Sequence, residues 1–287
     1  MKIAMLTNNY RPFVGGVPIS VERQAQELVK LGHQVTVFAP MYESDEKEQN
    51  ERLQKEIQAE DERSPERVIR YHSQKKKMDN GMVYPGIYPA EIFDVFERER
   101  FDCIHVHHPM FVGPWALWLG RKYGIPVIYT YHTRYEDYLH YIPCFRIREE
   151  STVVKRKAVE WIQKKVIPAY MRWFCNRCDL VLAPSEGMQQ MIKGYGVNTP
   201  IAVFPTGLDE SFFRKNARRA QEIRETCSRG KRHLLVTVSR LEKEKNYGFL
   251  LRGIAELERK MGVDFHVLII GDGSQKAELK VRASILG

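Results

Sequence analysis

The chain has 287 residues, 43% hydrophobic and 28% charged, enough for one large or two ordinary folded domains and unlike a disordered chain. No apolar run approaches the ~18–20 residues of a membrane-crossing helix. Residues 1–7 enter a short apolar strand rather than a secretory leader, so a cytoplasmic location is expected. The net charge of +9 is unevenly spread: residues 43–66 hold ten acidic and four basic side chains, and residues 146–177 hold nine basic and three acidic. Basic surface suits anionic lipid, phosphorylated ligands or nucleic acid. No basic–aromatic motif of a nucleic-acid reader accompanies it, so no nucleic-acid partner is expected. Among five cysteines, Cys175 and Cys178 form a lone C-x-x-C without finger-spaced histidines, read as two thiols at a helix end rather than a metal site.

In chain order, short apolar runs at 2–7, 34–39, 67–71, 102–107, 125–130, 179–183 and 201–204 read as strands. The clearest helix between them is 19–31, with Gly32 placed for a left-handed C-cap. Strands alternating with helices predict a parallel sheet covered on both faces. Residues 43–66 have only Leu53 and Ile57 as large aliphatics, so they read as a solvated helix or mobile insertion. Residues 84–89 read as a loop, and Pro168 should kink or divide the helix that carries it. Strands at 233–238 and 265–270 with a helix at about 246–261 begin a second α/β unit. Two strands fall short of a doubly wound domain, so this unit is expected to be incomplete. The division is expected at 1–205 and 206–287.

Four segments carry candidate chemistry. Gly15 and Gly16 precede the first helix, where glycine admits a ligand close to backbone N–H groups. They do not form G-x-G-x-x-G, so the dinucleotide fingerprint fails. His132 follows the strand at 125–130, where α/β folds place their sites, and Tyr135, Asp137 and Tyr138 follow it in a loop suited to a polyol. Arg240 at a strand end and Lys245 five residues on are spaced to meet a diphosphate, Arg as a fork and Lys as a point charge. Gly271 and Gly273 end the next strand and bring backbone amides to a ligand. No D-x-D, Walker or G-x-S-x-G pattern occurs, so no metal clamp, P-loop or hydrolase elbow is expected.

Gly15-Gly16, His105 and His107, Thr130-Tyr131-His132-Thr133, the turn from Phe204 to Asp209, Arg240 with Lys245, and Gly271-Asp272-Gly273, in that order, resemble the family 4 retaining glycosyltransferases. The resemblance implies an α/β fold of GT-B architecture: a complete N-terminal Rossmann-like domain on the acceptor side and a truncated donor-binding Rossmann-like domain. It implies a nucleotide sugar as co-substrate, with Gly15, Gly16, Arg240, Lys245, Gly271 and Gly273 on the donor and His132 on the transferred sugar. Tyr135, Asp137 and Tyr138 would meet the acceptor. No cofactor or metal is implied, configuration is retained, and the departing phosphate helps deprotonate the acceptor.

The run Tyr131-His132-Thr133 to Tyr141, with Cys175–Asp179, is similar to bacterial diacylglycerol glucosyltransferases, which implies UDP-glucose as donor and a membrane lipid as acceptor. Residues 151–177 mix tryptophan, aliphatics and lysine as in a helix lying on an anionic bilayer, with Trp161, Lys164, Lys165 and Trp173 as contacts. The chain is therefore expected at the inner face of the cell membrane. The family's E-x7-E is missing, since only Glu278 follows Gly273, and weak or absent transfer by this chain alone is expected. The alternatives are a non-catalytic lipid- or glycan-binding module, and a family 4 transferase with another acceptor or a GDP-mannose donor.

Overall fold

The computed structural model describes all residues except 78–80, 87, 148–150, 209, 263 and 287, together with the side chains of 75–77, 140, 141, 143, 211 and 261 within their elements. Asp209 of the turn noted above, and the side chains of His140 and Tyr141, lie outside the described residues. Two compact units divide the chain, Met1–Gly207 and Leu208–Gly287.

The strands of the first unit are β1 (Lys2–Leu6), β2 (Gln34–Pro40), β3 (Arg67–Tyr71), β4 (Ser73–Lys77), β5 (Val83–Pro85), β6 (Cys103–Val106), β7 (Val127–Thr130), β8 (Leu180–Ala183) and β9 (Ile201–Val203). Its helices are α1 (Gly16–Lys30), α2 (Lys47–Arg63), α3 (Ala90–Arg98), α4 (Val112–Tyr123), α5 (Val153–Trp161), α6 (Ile167–Cys175) and α7 (Glu186–Gly194). Seven strands form one sheet in the order β3-β2-β1-β6-β7-β8-β9, each neighbouring pair parallel. The chain winds outward from β1 to β3, then returns to the other side of β1 at β6. Doubly wound sheets place their ligand crevice at such a reversal, which here falls at the carboxyl ends of β1 and β6.

Side-chain alternation assigns the two faces. Ala4, Leu6, Ile104, Val106, Tyr129, Tyr131, Val181 and Ala183 enter one large core with Phe93, Ala116, Met171 and Ile192 from α3, α4, α6 and α7. Ile3, Met5, Val35, Val37 and Ala39 point the other way, onto Val21 and Ala25 of α1. Each fully buried aliphatic contributes about 1.5–3 kcal/mol, so these two layers dominate stability. Gly32 closes α1 as expected, at φ +87°. Its N–H donates to Val29 O at 2.9 Å, and that of His33 to Leu28 O at 3.0 Å, which satisfies the last carbonyls.

Two expectations need correction. Residues 47–63 form a helix that is not merely solvated: Ile57 is buried and Leu53 packs beside it against Tyr42 and Val83. Its acidic end is held by buried arginines, an attraction that apolar periodicity does not register. Of residues 84–89, read as a loop, Tyr84 and Pro85 belong instead to β5, which pairs antiparallel with β4, while 86, 88 and 89 are irregular. The helix that carries Pro168 is divided into α5 and α6, although the backbone stays helical through the join. A π turn over Ile162–Val166 joins α5 to α6, with Trp161, Ile162, Val166 and Ile167 all in right-handed helical conformation. Pro168 sits in the first turn of α6, where its missing N–H is tolerated.

The second unit contains α8 (Ala217–Cys227), β10 (His233–Val238), α9 (Tyr247–Met261), β11 (Phe265–Ile270) and α10 (Lys276–Leu286). β10 and β11 pair in parallel from His233↔Phe265 to Val238↔Ile270. Leu241, Tyr247, Leu251 and Leu279 form its buried centre, while Val236 and Val238 on β10 remain 53% and 70% exposed.

Candidate active site

At the crevice, the loops after β1 and β6 are stitched together. His107 N–H donates to Leu6 O at 2.9 Å, extending the ladder by one step. Asn8 donates from Nδ2 to Met110 O at 2.9 Å and accepts the Val112 N–H at 3.4 Å, so it caps α4 from another loop. His108 Nδ1 accepts the Asn8 backbone N–H at 3.1 Å, which puts the proton of this neutral ring on Nε2. Asn9 is buried with Oδ1 unpartnered among the described residues.

A polar ladder runs beside this seam on the α1 side of the sheet. His105 is aligned with Met5 of β1 and Ile128 of β7, so it shares the α1-facing side with Met5. Its Nε2 lies 2.7 Å from Thr130 Oγ1, and one strand repeat on, His107 Nδ1 lies 2.9 Å from His132 Nε2. The His105 and His107 rings are 4.2 Å apart, and those of His107 and His132 5.2 Å. Burial holds all these imidazoles neutral. It pushes His105 and His108 down to about 3 and His132 to about 4, with His107 also well below its ordinary value. His107 is wholly buried, whereas His132 is half-buried at the end of the ladder. Strand alternation decides this, since Tyr131 turns into the core and His132 away from it. A neutral, partly accessible imidazole suits hydrogen bonding to hydroxyls and adds no charge.

The loop after His132 continues as a 3-10 turn, Tyr135–Tyr141. Tyr135 sets its ring edge-on to Tyr131 at 6.4 Å and buries its hydroxyl, so it packs the wall of the site. Asp137 is half exposed beside Arg134 at 3.3 Å, and Tyr138 is half-buried. Glu136 accepts the Tyr195 hydroxyl at 2.7 Å, and its carbonyl accepts from Gln163 Nε2 at 3.0 Å, tying the turn to α7 and the π turn. Gly15 caps α1 in extended conformation with Phe13 close by, and Gly16 has open space where a side chain would stand. Gly16 and Val17 in the first turn of α1 have N–H groups with no intrahelical acceptor.

In the second unit, Arg240 and Gly271-Asp272-Gly273 leave the same end of two paired strands. A Cβ on Gly271 would stand 1.9 Å from Ser239 O, and one on Gly273 2.5 Å from Leu241 O. Only glycine lets these loops meet, and Leu241 N–H then donates to Asp272 O at 2.8 Å. Arg240, partly exposed, pairs with Glu244 at 2.9 Å, and Lys245 is exposed at the end of the next turn. The structure thus gathers His105, His107, Thr130 and His132 in one unit, and Arg240, Gly271 and Gly273 in the other. Asn8, Asn9 and His108 join the first group without having been singled out from sequence. The available signal was an Asn-Asn pair directly after β1 and a third histidine after β6.

On α5–α6, Trp161 is 61% exposed, with Lys164 and Lys165 exposed beside it and Lys164 paired to Glu160 at 2.6 Å. Trp173 stacks on Tyr170 at 5.6 Å beneath the Arg177 guanidinium. No helix among the described residues is long and apolar enough to cross a membrane.

A sheet wound both ways from β1, with polar side chains gathered where the winding reverses, defines a Rossmann-like α/β protein, a class whose ligand sites lie at the carboxyl ends of the strands. The chain belongs to Glycosyltransferase Family 4, matched over residues 14–212, and Glycosyl transferases group 1 matches residues 218–287. It is 28% identical to the alpha-monoglucosyldiacylglycerol synthase of Streptococcus pneumoniae over all of this chain and 59% of that protein. It is 23% identical to the enzyme of the same name from Acholeplasma laidlawii, over 97% of this chain and 65% of that one. A GDP-mannose-dependent alpha-(1-6)-phosphatidylinositol dimannoside mannosyltransferase of Mycobacterium tuberculosis is 24% identical over 99% of this chain and 66% of its own length. The chain therefore spans about 60% of the length of the relatives it matches. Among solved structures, Anabaena HepE in complex with UDP superposes with a TM-score of 0.63 at 15% identity, covering all of this chain and 66% of that one. The fold is that of GT-B glycosyltransferases.

Proposed function

We propose that this chain acts in moving glucose from UDP-glucose, with retention and without a metal, onto a membrane lipid such as diacylglycerol. The observation that carries the reading is His132, neutral and half-buried, at the end of a histidine ladder beside the switch point. It contacts a hydroxyl of the transferred sugar without attacking it. Arg240 and Lys245 hold the diphosphate, and the close-packed Gly271 and Gly273 keep the Arg240 loop in place. The C1–oxygen bond to the diphosphate breaks and its electron pair leaves with the phosphate, whose charge the two cations offset. The acceptor oxygen bonds to C1 from the same face, and its proton passes to the departing phosphate oxygen. Gly15 and Gly16 give the ligand close approach to the α1 amides.

The names of the Streptococcus and Acholeplasma relatives support glucose and a diacylglycerol glycolipid. The exposed Trp161 beside Lys164 and Lys165 supports peripheral contact with anionic lipid, with Trp173 further along. Asp137 and Tyr138 face the acceptor, with Tyr135 packed behind them.

Calorimetric titration of the full chain with UDP-glucose and GDP-mannose tests the donor. Binding of UDP-glucose is expected, weakened roughly ten- to hundredfold in Arg240→Ala by loss of a charged hydrogen bond. Preference for GDP-mannose, or indifference to Arg240→Ala, overturns the reading.

A further inference from the structure

His107 and His132 meet because of strand register. His105 is aligned with Ile128, so His107 falls beside Thr130, and each imidazole leans one repeat forward, to Thr130 and to His132. His107 is fully buried against His105, and its Nε2 has no hydrogen-bond partner among the described residues. Burial keeps the ring neutral, so it carries one N–H, and two placements of that proton compete. With the proton on Nε2, a buried N–H has no acceptor, while Nδ1 accepts from His132. With it on Nδ1, the N–H is satisfied by His132 Nε2 and only an acceptor lone pair is left bare. An orphaned buried donor is the rarer and costlier outcome.

We infer that His107 donates from Nδ1 to His132 Nε2 and is a positioning residue that holds His132 as its Nδ1–H tautomer. His132 Nε2 is then occupied as an acceptor, and the Nδ1–H is the ring's remaining hydrogen-bonding group. His132 therefore donates to a ligand oxygen and is not a proton acceptor for it. The other tautomer would present a lone pair at Nδ1, which a sugar hydroxyl meets only by turning its own O–H toward the ring, away from any other acceptor. This consequence for the ligand rests on the proposed contact between His132 and sugar, but the tautomer itself does not.

Long-range 1H–15N spectra of the full chain at pH 7, with no ligand added, read the tautomer ring by ring, and His132→Gln assigns the signals. The expected result is a protonated Nδ1 and a bare Nε2 on His132. That state persists in His107→Asn, whose amide N–H stands near the lost Nδ1–H, and relaxes to a mixture in His107→Phe. A proton on His132 Nε2 in the unaltered chain overturns the inference, as does a single unchanged tautomer in a folded His107→Phe. If His107→Phe does not fold, the unaltered chain and His107→Asn decide. UDP-glucose affinity is measured in parallel, against UDP alone. Loss of about tenfold for UDP-glucose but not UDP in His107→Phe, restored in His107→Asn, supports the positioning role. The expected tautomer combined with UDP-glucose affinity indifferent to His132→Gln upholds the tautomer and removes the sugar contact.

Discussion

The Arg11 guanidinium lies 3.0 Å from the Glu66 carboxylate, and the Glu66 side chain is completely buried. Tyr10 donates its hydroxyl to the same carboxylate oxygen at 2.8 Å, and Asp61 lies 3.3 Å from Arg11. Arg70 forks onto Asp61 with two hydrogen bonds of 2.8 Å. These contacts clamp the β1 loop, which leads to Gly15 and Gly16, to α2 and β3.

Glu66→Ala removes one charged hydrogen-bond partner of Arg11, which keeps Glu22 at 2.9 Å and Asp61 at 3.3 Å, and is expected to cost about 1.5–3 kcal/mol. Glu66→Gln, which keeps an acceptor oxygen, costs less. Urea unfolding at pH 7 measures both. Equal losses for the two variants would show that packing, and not the ion pair, fixes this loop.

Gly16 and Gly271 separate ligand access from packing. Gly16→Ala meets open space in the first turn of a helix, so stability is expected to rise by up to about 1 kcal/mol. Nucleotide-sugar affinity should fall, because a methyl group then stands where ligand approaches the amides. Gly271→Ala drives a Cβ into Ser239 O and is expected to lower the unfolding temperature of the second unit. Calorimetric melting curves with and without UDP-glucose check both.

The buried histidines make stability depend on pH. His105 and His108 titrate at about 3 and His132 at about 4 in the folded chain, all depressed by burial from the ordinary value near 6.5. Between those limits the unfolded chain binds protons that the folded chain excludes. Stability is therefore fully present above about pH 6.5 and falls as the solution is acidified, by up to about 1.4 kcal/mol per pH unit for each such histidine. Urea midpoints at pH 7, 6 and 5 should decline. His105→Gln should flatten the decline, and an unchanged slope would contradict burial of a neutral ring.

Vesicle co-sedimentation tests the basic helix. Binding to anionic vesicles is expected to weaken with salt and to drop about tenfold or more when Lys164 and Lys165 are both replaced by Ala, at about 1 kcal/mol per charge. Trp161→Ala should weaken binding at all salt concentrations, since its exposed ring is inserted by burial rather than by charge. Association indifferent to salt and to lipid charge would sink the membrane reading.

Much of the fold was legible. The expected ranges at 67–71, 233–238 and 265–270 coincide with β3, β10 and β11, and the other large-sheet strands differ only at their ends. Short β-branched runs bounded by turns carry that information locally. Local pattern failed at 43–66, where Ile57 finds partners on another loop and the carboxylates find Arg11 and Arg70 across the fold.

The sequence by itself determined alternating strands and helices, the placement of His132 and Arg240 just after strands, and glycines where loops come close. Each follows from periodicity or from the steric limits of one residue. Only the tertiary structure decided that β6 pairs with β1 and β7 in a register that brings His107 to His132, and that Gly271 closes on Ser239. Those meetings join residues 25 and 32 positions apart through strand pairing, and no local preference encodes which strand a strand will choose.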